Sequence, residues 1–128
     1  MDTTQFEAAV QQLRLTPQEQ ALYQRHLMNL YGAGKVVHPD GGISTLYQMS
    51  ITGPDNKTYN IPTVYDGKIV DPDDAIRRAR KAGLWQFPSY LSQALAEDRY
   101  QQMHHYMDRD VGRYRQQFNP LTEALNGH

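Results

Sequence analysis

His104 and Asp108 stand four residues apart in a stretch of helical periodicity, a spacing that puts an imidazole and a carboxylate on one face, one turn apart. With His105 between them they are the group nearest to a metal site, but two ligands on one turn do not complete a transition-metal centre. A third ligand would have to come from His26 or His38 through the fold, so the expected reading is a solvated or hydrogen-bonded His–Asp pair. Asp66, Asp71, Asp73 and Asp74 form the densest acidic group, and several carboxylate oxygens are what Mg²⁺ or Ca²⁺ requires. Turn formation and helix capping account for each of the four separately, and no Asp-x-Asp-x-Asp-Gly loop with a terminal Glu is present. The hydroxyls of Ser44, Thr45, Ser50, Ser89 and Ser92 lie in no Gly-x-Ser-x-Gly or Ser-x-x-Lys context. Glu19 belongs to a capping box and Glu97 to a polar helix face, so neither stands out as a general acid or base. Gly32-Ala33-Gly34 follows a helix instead of a strand and reads as a helix stop, not a phosphate-binding loop. No catalytic, cofactor-binding or metal-binding residue is assigned from these patterns, and neither a cofactor nor a metal is expected.

Arg77, Arg78, Arg80 and Lys81 could meet phosphates, with Tyr47, Tyr59 and Tyr65 as stacking faces. The same helix opens with acids, and 13 Lys plus Arg against 14 Asp plus Glu leave a formal charge of −1. That balance offers no broad positive face for a phosphate backbone, so nucleic acid is not the expected partner.

The elements that would position these groups follow from periodicity and turn chemistry. Phe6, Ala9, Val10 and Leu13 share a helical face, and Thr16-Pro17-Gln18-Glu19 opens a second helix as a capping box with Pro at its first position. That helix carries Leu22, Tyr23, Leu27, Leu30 and Tyr31, and Gly32-Ala33-Gly34 is expected to stop it, since Gly accepts the left-handed conformation that closes a helix. Ile43 to Ile51 and Thr58 to Val64 read as strands joined by the loop Gly53 to Lys57. Pro62 cannot donate to a ladder, so its strand is expected at an edge or with that position turned outward. Asp66-Gly67 suits a turn with two positive φ angles, which predicts a third strand at Lys68 to Val70 and a three-stranded meander. Asp71 as N-cap, Pro72 at the first helical position and Gly83 after the last turn bound a short helix. The apolar connector Leu84 to Tyr90 is expected to lay Trp85 and Phe87 on the sheet. Ser92 then caps a long helix in which Ala96, Tyr100, Met103, Met107, Val111, Tyr114 and Phe118 form one stripe, with Gly112 a weak point of about 1 kcal/mol.

The 128 residues suit one domain of α+β class. It comprises N-terminal helices over 1–34, a β-meander over 43–70, a short helix over 72–82, a long helix over 93–118 and a tail over 119–128. Cysteine is absent, so no disulfide or thiolate contributes. The mean hydropathy is −0.74, while nine tyrosines supply amphipathic contact area. No apolar run is long enough to span a membrane, and the first residues have neither the basic nor the apolar region of an export signal.

The ordered set Gly42-Ile43-Ser44-Thr45, Ser50-Ile51, Ile61-Pro62-Thr63-Val64, Asp66-Gly67-Lys68-Ile69-Val70, Asp74-Ala75-Ile76, Gly83, Phe87-Pro88 and Met103-His104 resembles a module that recurs in tailed-bacteriophage and prophage virion proteins. There it lies within larger polypeptides, including internal virion or ejection proteins. The resemblance covers roughly residues 20 to 110 and carries no catalytic motif. It implies residence in the virion, with the host cytoplasm as the place of assembly. Pro62, Asp66, Gly67, Pro72 and Gly83 are its structural punctuation. The expectation is a non-enzymatic structural or docking protein that contacts other virion proteins, or a second copy of itself, through Met107, Val111, Tyr114 and Phe118. The alternatives are a phage inhibitor of a host enzyme and an accessory to a peptidoglycan- or nucleic-acid-acting enzyme.

Overall fold

A computed structural model of the chain describes residues 4–118, so the expected tail lies outside the described residues. Helix α1 spans Thr4–Leu13 and α2 spans Pro17–Tyr31. The capping box forms as expected: the Glu19 N–H donates to Thr16 Oγ1 at 3.2 Å, and the Thr16 N–H donates to Glu19 Oε1 at 2.9 Å. At the other end the helix stops at the Gly32-Ala33-Gly34 run as expected, but with Gly32 extended at φ −115° and not left-handed. Glycine is needed there for space, since a Cβ would sit 2.7 Å from the Met28 carbonyl oxygen.

The expected strand over Ile43 to Ile51 divides in two. Tyr47 takes φ +44°, a left-handed angle costly for an aromatic residue, and this turns the chain between the halves. Strand β1 (Val36–Val37) pairs with β2 (Ile43–Ser44), whereas β3 (Met49–Thr52) pairs antiparallel with β4 (Thr58–Ile61), Met49 opposite Ile61. Between them Leu46 offers its carbonyl to the Thr63 N–H at 2.8 Å, and the Thr63 hydroxyl donates to the Tyr47 carbonyl at 2.6 Å.

The three-stranded antiparallel sheet exists, but its third strand comes from elsewhere. Strands β5 (Val64–Tyr65) and β6 (Lys68–Ile69) close on each other around Asp66 and Gly67, at φ +52° and +75°. The turn is therefore the one predicted, yet the ribbon stands apart from the main sheet. Its place is taken by β7 (Ser89–Tyr90), which pairs with β4 across Tyr59 and Thr58. Strand β4 is accordingly central and buried along its whole length. Pro62 lies immediately after it and is buried, neither at an edge nor turned outward.

Helix α3 spans Pro72–Ala82 with Pro72 at its start. Asp71 occupies the N-cap position but its side chain makes no capping hydrogen bond. Gly83, at φ +105°, donates its N–H to the carbonyls of Ala79 and Arg80, and Trp85 lies over the space a side chain would need. Phe87 is buried as expected, whereas Trp85 is 74% exposed. Helix α4, Gln93–Phe118, starts with the Leu95 N–H donating to Ser92 Oγ at 3.2 Å and runs unbroken through Gly112.

One hydrophobic cluster joins α1, α2 and α4 through Ala9, Leu22, Tyr23, Leu27, Met103 and Met107, with Leu46 added from the loop. A second sets α3 on the sheet through Ala75, Ala79, Tyr59, Ile61 and Phe87.

Candidate functional site

A cleft of about 250 Å³ opens between the Ile43–Gln48 segment and α4, with Tyr100, His104, Met107, Asp108 and Val111 along the helix side. Ile43, Ser44 and Thr45 thus face the same space as His104. His104 and Asp108 share the helix face as their spacing predicts. The His104 ring stacks on Tyr100, with centroids 5.4 Å apart and planes inclined by 18°. Among the described residues no group of three or more His, Asp or Glu is placed to hold a metal ion.

His26 and Thr45, which line the cleft, belong to a chain of buried polar groups. Thr45 Oγ1 lies 2.6 Å from His26 Nδ1, and His26 Nε2 lies 3.1 Å from Asp110 Oδ2. The Tyr23 hydroxyl donates to that same carboxylate oxygen at 2.6 Å. His26 is fully buried and Asp110 almost so. Burial raises the Tyr23 phenol well above its ordinary pKa, and the bond to Asp110 raises it further. Hydroxyl, imidazole and carboxylate stand in the order that activates a nucleophile. Here, however, both imidazole nitrogens and the carboxylate are engaged in holding α2, the 43–48 segment and α4 together.

A second polar tie lies toward the other end of α4. Arg99 grips Glu19 with two nitrogens, each 2.9 Å from a carboxylate oxygen, and Tyr90 donates to Glu19 Oε2 at 2.7 Å. Burial opposes ionisation of Glu19. The bonds from Arg99, the Thr16 amide and Tyr90 outweigh it and hold the carboxyl below its usual range.

The expected partner-binding stripe separates along α4. Met107 is 4% exposed and belongs to the chain's own core, not to a contact surface. Val111 is half-buried at the rim of the cleft. Tyr114 meets Tyr31 edge-on with centroids 5.6 Å apart, and Lys35 Nζ lies 4.9 Å from its ring centre. Phe118 follows at 4.8 Å from Tyr114 and is 45% exposed. Of the tyrosines considered for base stacking, Tyr59 is buried, Tyr65 lies against the guanidiniums of Arg25 and Arg78, and Tyr47 is 60% exposed.

His26, Asp110, Glu19 and Arg99 were not anticipated as buried groups. Their signal was positional: Asp110 falls three residues after Met107, and Arg99 three after Ala96 and four before Met103, on the apolar face. His26 sits likewise between Leu22 and Leu30.

Compared with protein-family profiles, curated proteins and solved structures, the chain finds no match. Among the described residues no helix is long and apolar enough to cross a membrane.

Proposed function

We propose that this chain is a docking module of a tailed-phage or prophage particle, a non-enzymatic unit that binds other virion proteins, with the host cytoplasm as its place of assembly. The observation that carries the reading is the aromatic ladder Tyr31–Tyr114–Phe118, which follows α4 outward from the core and ends on an exposed ring. An aromatic edge continuous with a rigid helix gives large contact area at small conformational cost. The resemblance to virion modules supplies the setting. Phe118→Ser should leave the melting temperature within about 2 °C of the parent, since the ring is largely outside the core. The same change should reduce incorporation of the chain into particles several-fold. Undiminished incorporation removes α4's end from the docking surface.

The convergence of His26, His104, Asp108 and Thr45 on one cleft supports a second reading, an accessory of a peptidoglycan- or nucleic-acid-acting enzyme. That reading requires His104→Ala to abolish a cleavage activity dependent on the chain. The docking reading requires no such activity.

A further inference from the structure

A second cleft, of about 490 Å³, is lined by Arg25 and Met28 of α2, Tyr65 of β5, Arg78 of α3 and Phe87. Two guanidiniums converge there on one ring, with Arg25 Cζ 4.6 Å and Arg78 Cζ 4.7 Å from the centre of Tyr65. Arg78 is balanced by Asp74, whose Oδ2 accepts from its Nε at 3.2 Å, and Asp74 also pairs with Arg77. Arg25 has no carboxylate partner among the described residues, and its Nε is buried without a hydrogen bond. A buried donor left unsatisfied is costly, and Asp74, already shared between Arg77 and Arg78, leaves the Arg25 charge without a counter-ion among the described residues.

We infer that this cleft receives an acidic, partly apolar segment of a partner protein, one Asp or Glu carboxylate against Arg25 and Arg78 and a neighbouring apolar side chain against Met28. The inference rests on the docking reading and names its partner's chemistry. A guanidinium held over an aromatic ring presents a preorganised fork, which matches a carboxylate bidentately. Met28 is 73% exposed beside it, an apolar wall that an inorganic anion would leave uncovered. A nucleic acid fits poorly. The ring that might stack a base is already covered by guanidiniums, and the chain's net charge of −1 gives no extended positive path for a backbone.

The test is fluorescence anisotropy of the full chain with a fluorescein-labelled Leu-Glu-Leu-Glu-Leu-Glu peptide, beside its Lys-for-Glu counterpart and a single-stranded oligonucleotide. The glutamate peptide should bind saturably and more weakly at high salt. Arg25→Gln should weaken it roughly tenfold or more with the melting temperature preserved, and Arg25→Lys should restore only part of the loss. Failure of the glutamate peptide to bind, equal binding of the lysine peptide, preferential binding of the oligonucleotide, or an unchanged affinity in Arg25→Gln would each overturn the inference. The docking reading is judged separately, by the presence of the chain in particles: a chain found there that ignores the acidic peptide docks by another surface.

Discussion

Asp110 is the residue on which the helical half of the molecule turns. One of its oxygens accepts from Tyr23 and meets His26, so a single carboxylate satisfies two side chains of α2 from within α4. Removing it leaves a phenol and an imidazole buried without their partner. Each unsatisfied group of this kind costs about 1–3 kcal/mol, so Asp110→Ala should destabilise by about 3 kcal/mol in a denaturant melt. A loss below about 0.5 kcal/mol would mean that water replaces the carboxylate and that the chain of bonds is not structural. Glu19 gives a prediction with a sign. Its folded pKa is depressed, so its contribution is complete above its ordinary value of 4.5 and is lost as the pH falls through and below it. Stability should therefore decline below about pH 4.5, and Glu19→Gln, weaker at neutral pH, should decline less steeply. Parallel curves for the two proteins would place the acid sensitivity elsewhere. At this scale the sequence was only partly readable. Asp108 and His104 drew notice because they are adjacent on a face, whereas Asp110 and Arg99 looked like ordinary polar positions. Their burial depends on partners 87 and 80 residues away in the chain.

The elements whose limits are set by neighbouring residues were the ones legible beforehand. The Thr16–Glu19 box, the Asp66-Gly67 turn, Pro72, Gly83 and Ser92 each act within a few residues, and helices α2, α3 and α4 start where those signals stand. Pairing between distant segments was not legible. The strand beside β4 is Ser89–Tyr90, beyond α3 from its partner, and no short-range signal distinguishes it from the nearer Lys68–Ile69. Tyr47 misled for a different reason: β-favouring residues on either side hid a left-handed turn that tertiary hydrogen bonds impose. Gly112 can be tested directly. It lies inside the continuous helix α4, and a Cβ placed on it would meet nothing within 4 Å. Gly112→Ala should thus raise stability by up to about 1 kcal/mol through helix propensity alone. A decrease in melting temperature would show that the helix needs to bend there.

At the scale of the whole molecule, α4 organises everything else. At about 1.5 Å per residue its 26 residues run about 39 Å, longer than the roughly 36 Å breadth expected of a compact chain this size. Its first half carries Ala96 and Met103 inside and Arg99 against Glu19; its middle carries Met107 and Asp110. In its last turns the apolar stripe continues through Tyr114 to Phe118 instead of turning polar. The length of the helix and the persistence of the stripe were both readable from residue spacing. That Met107 serves the core, and that Tyr114 is shared between Tyr31 and the surface, were not, because they depend on where α2 ends. Exposed Phe118 at one end and the arginine-lined cleft beside Met28 are separate surfaces, and the docking proposal assigns a contact to each.

Whether the chain resides in a particle is decided by quantitative mass spectrometry of purified virions. The docking account predicts this chain at a fixed, stoichiometric copy number relative to the other particle proteins, retained after washing at high salt. A chain abundant in infected cells and missing from purified virions would contradict the account and point to the host-directed inhibitor instead.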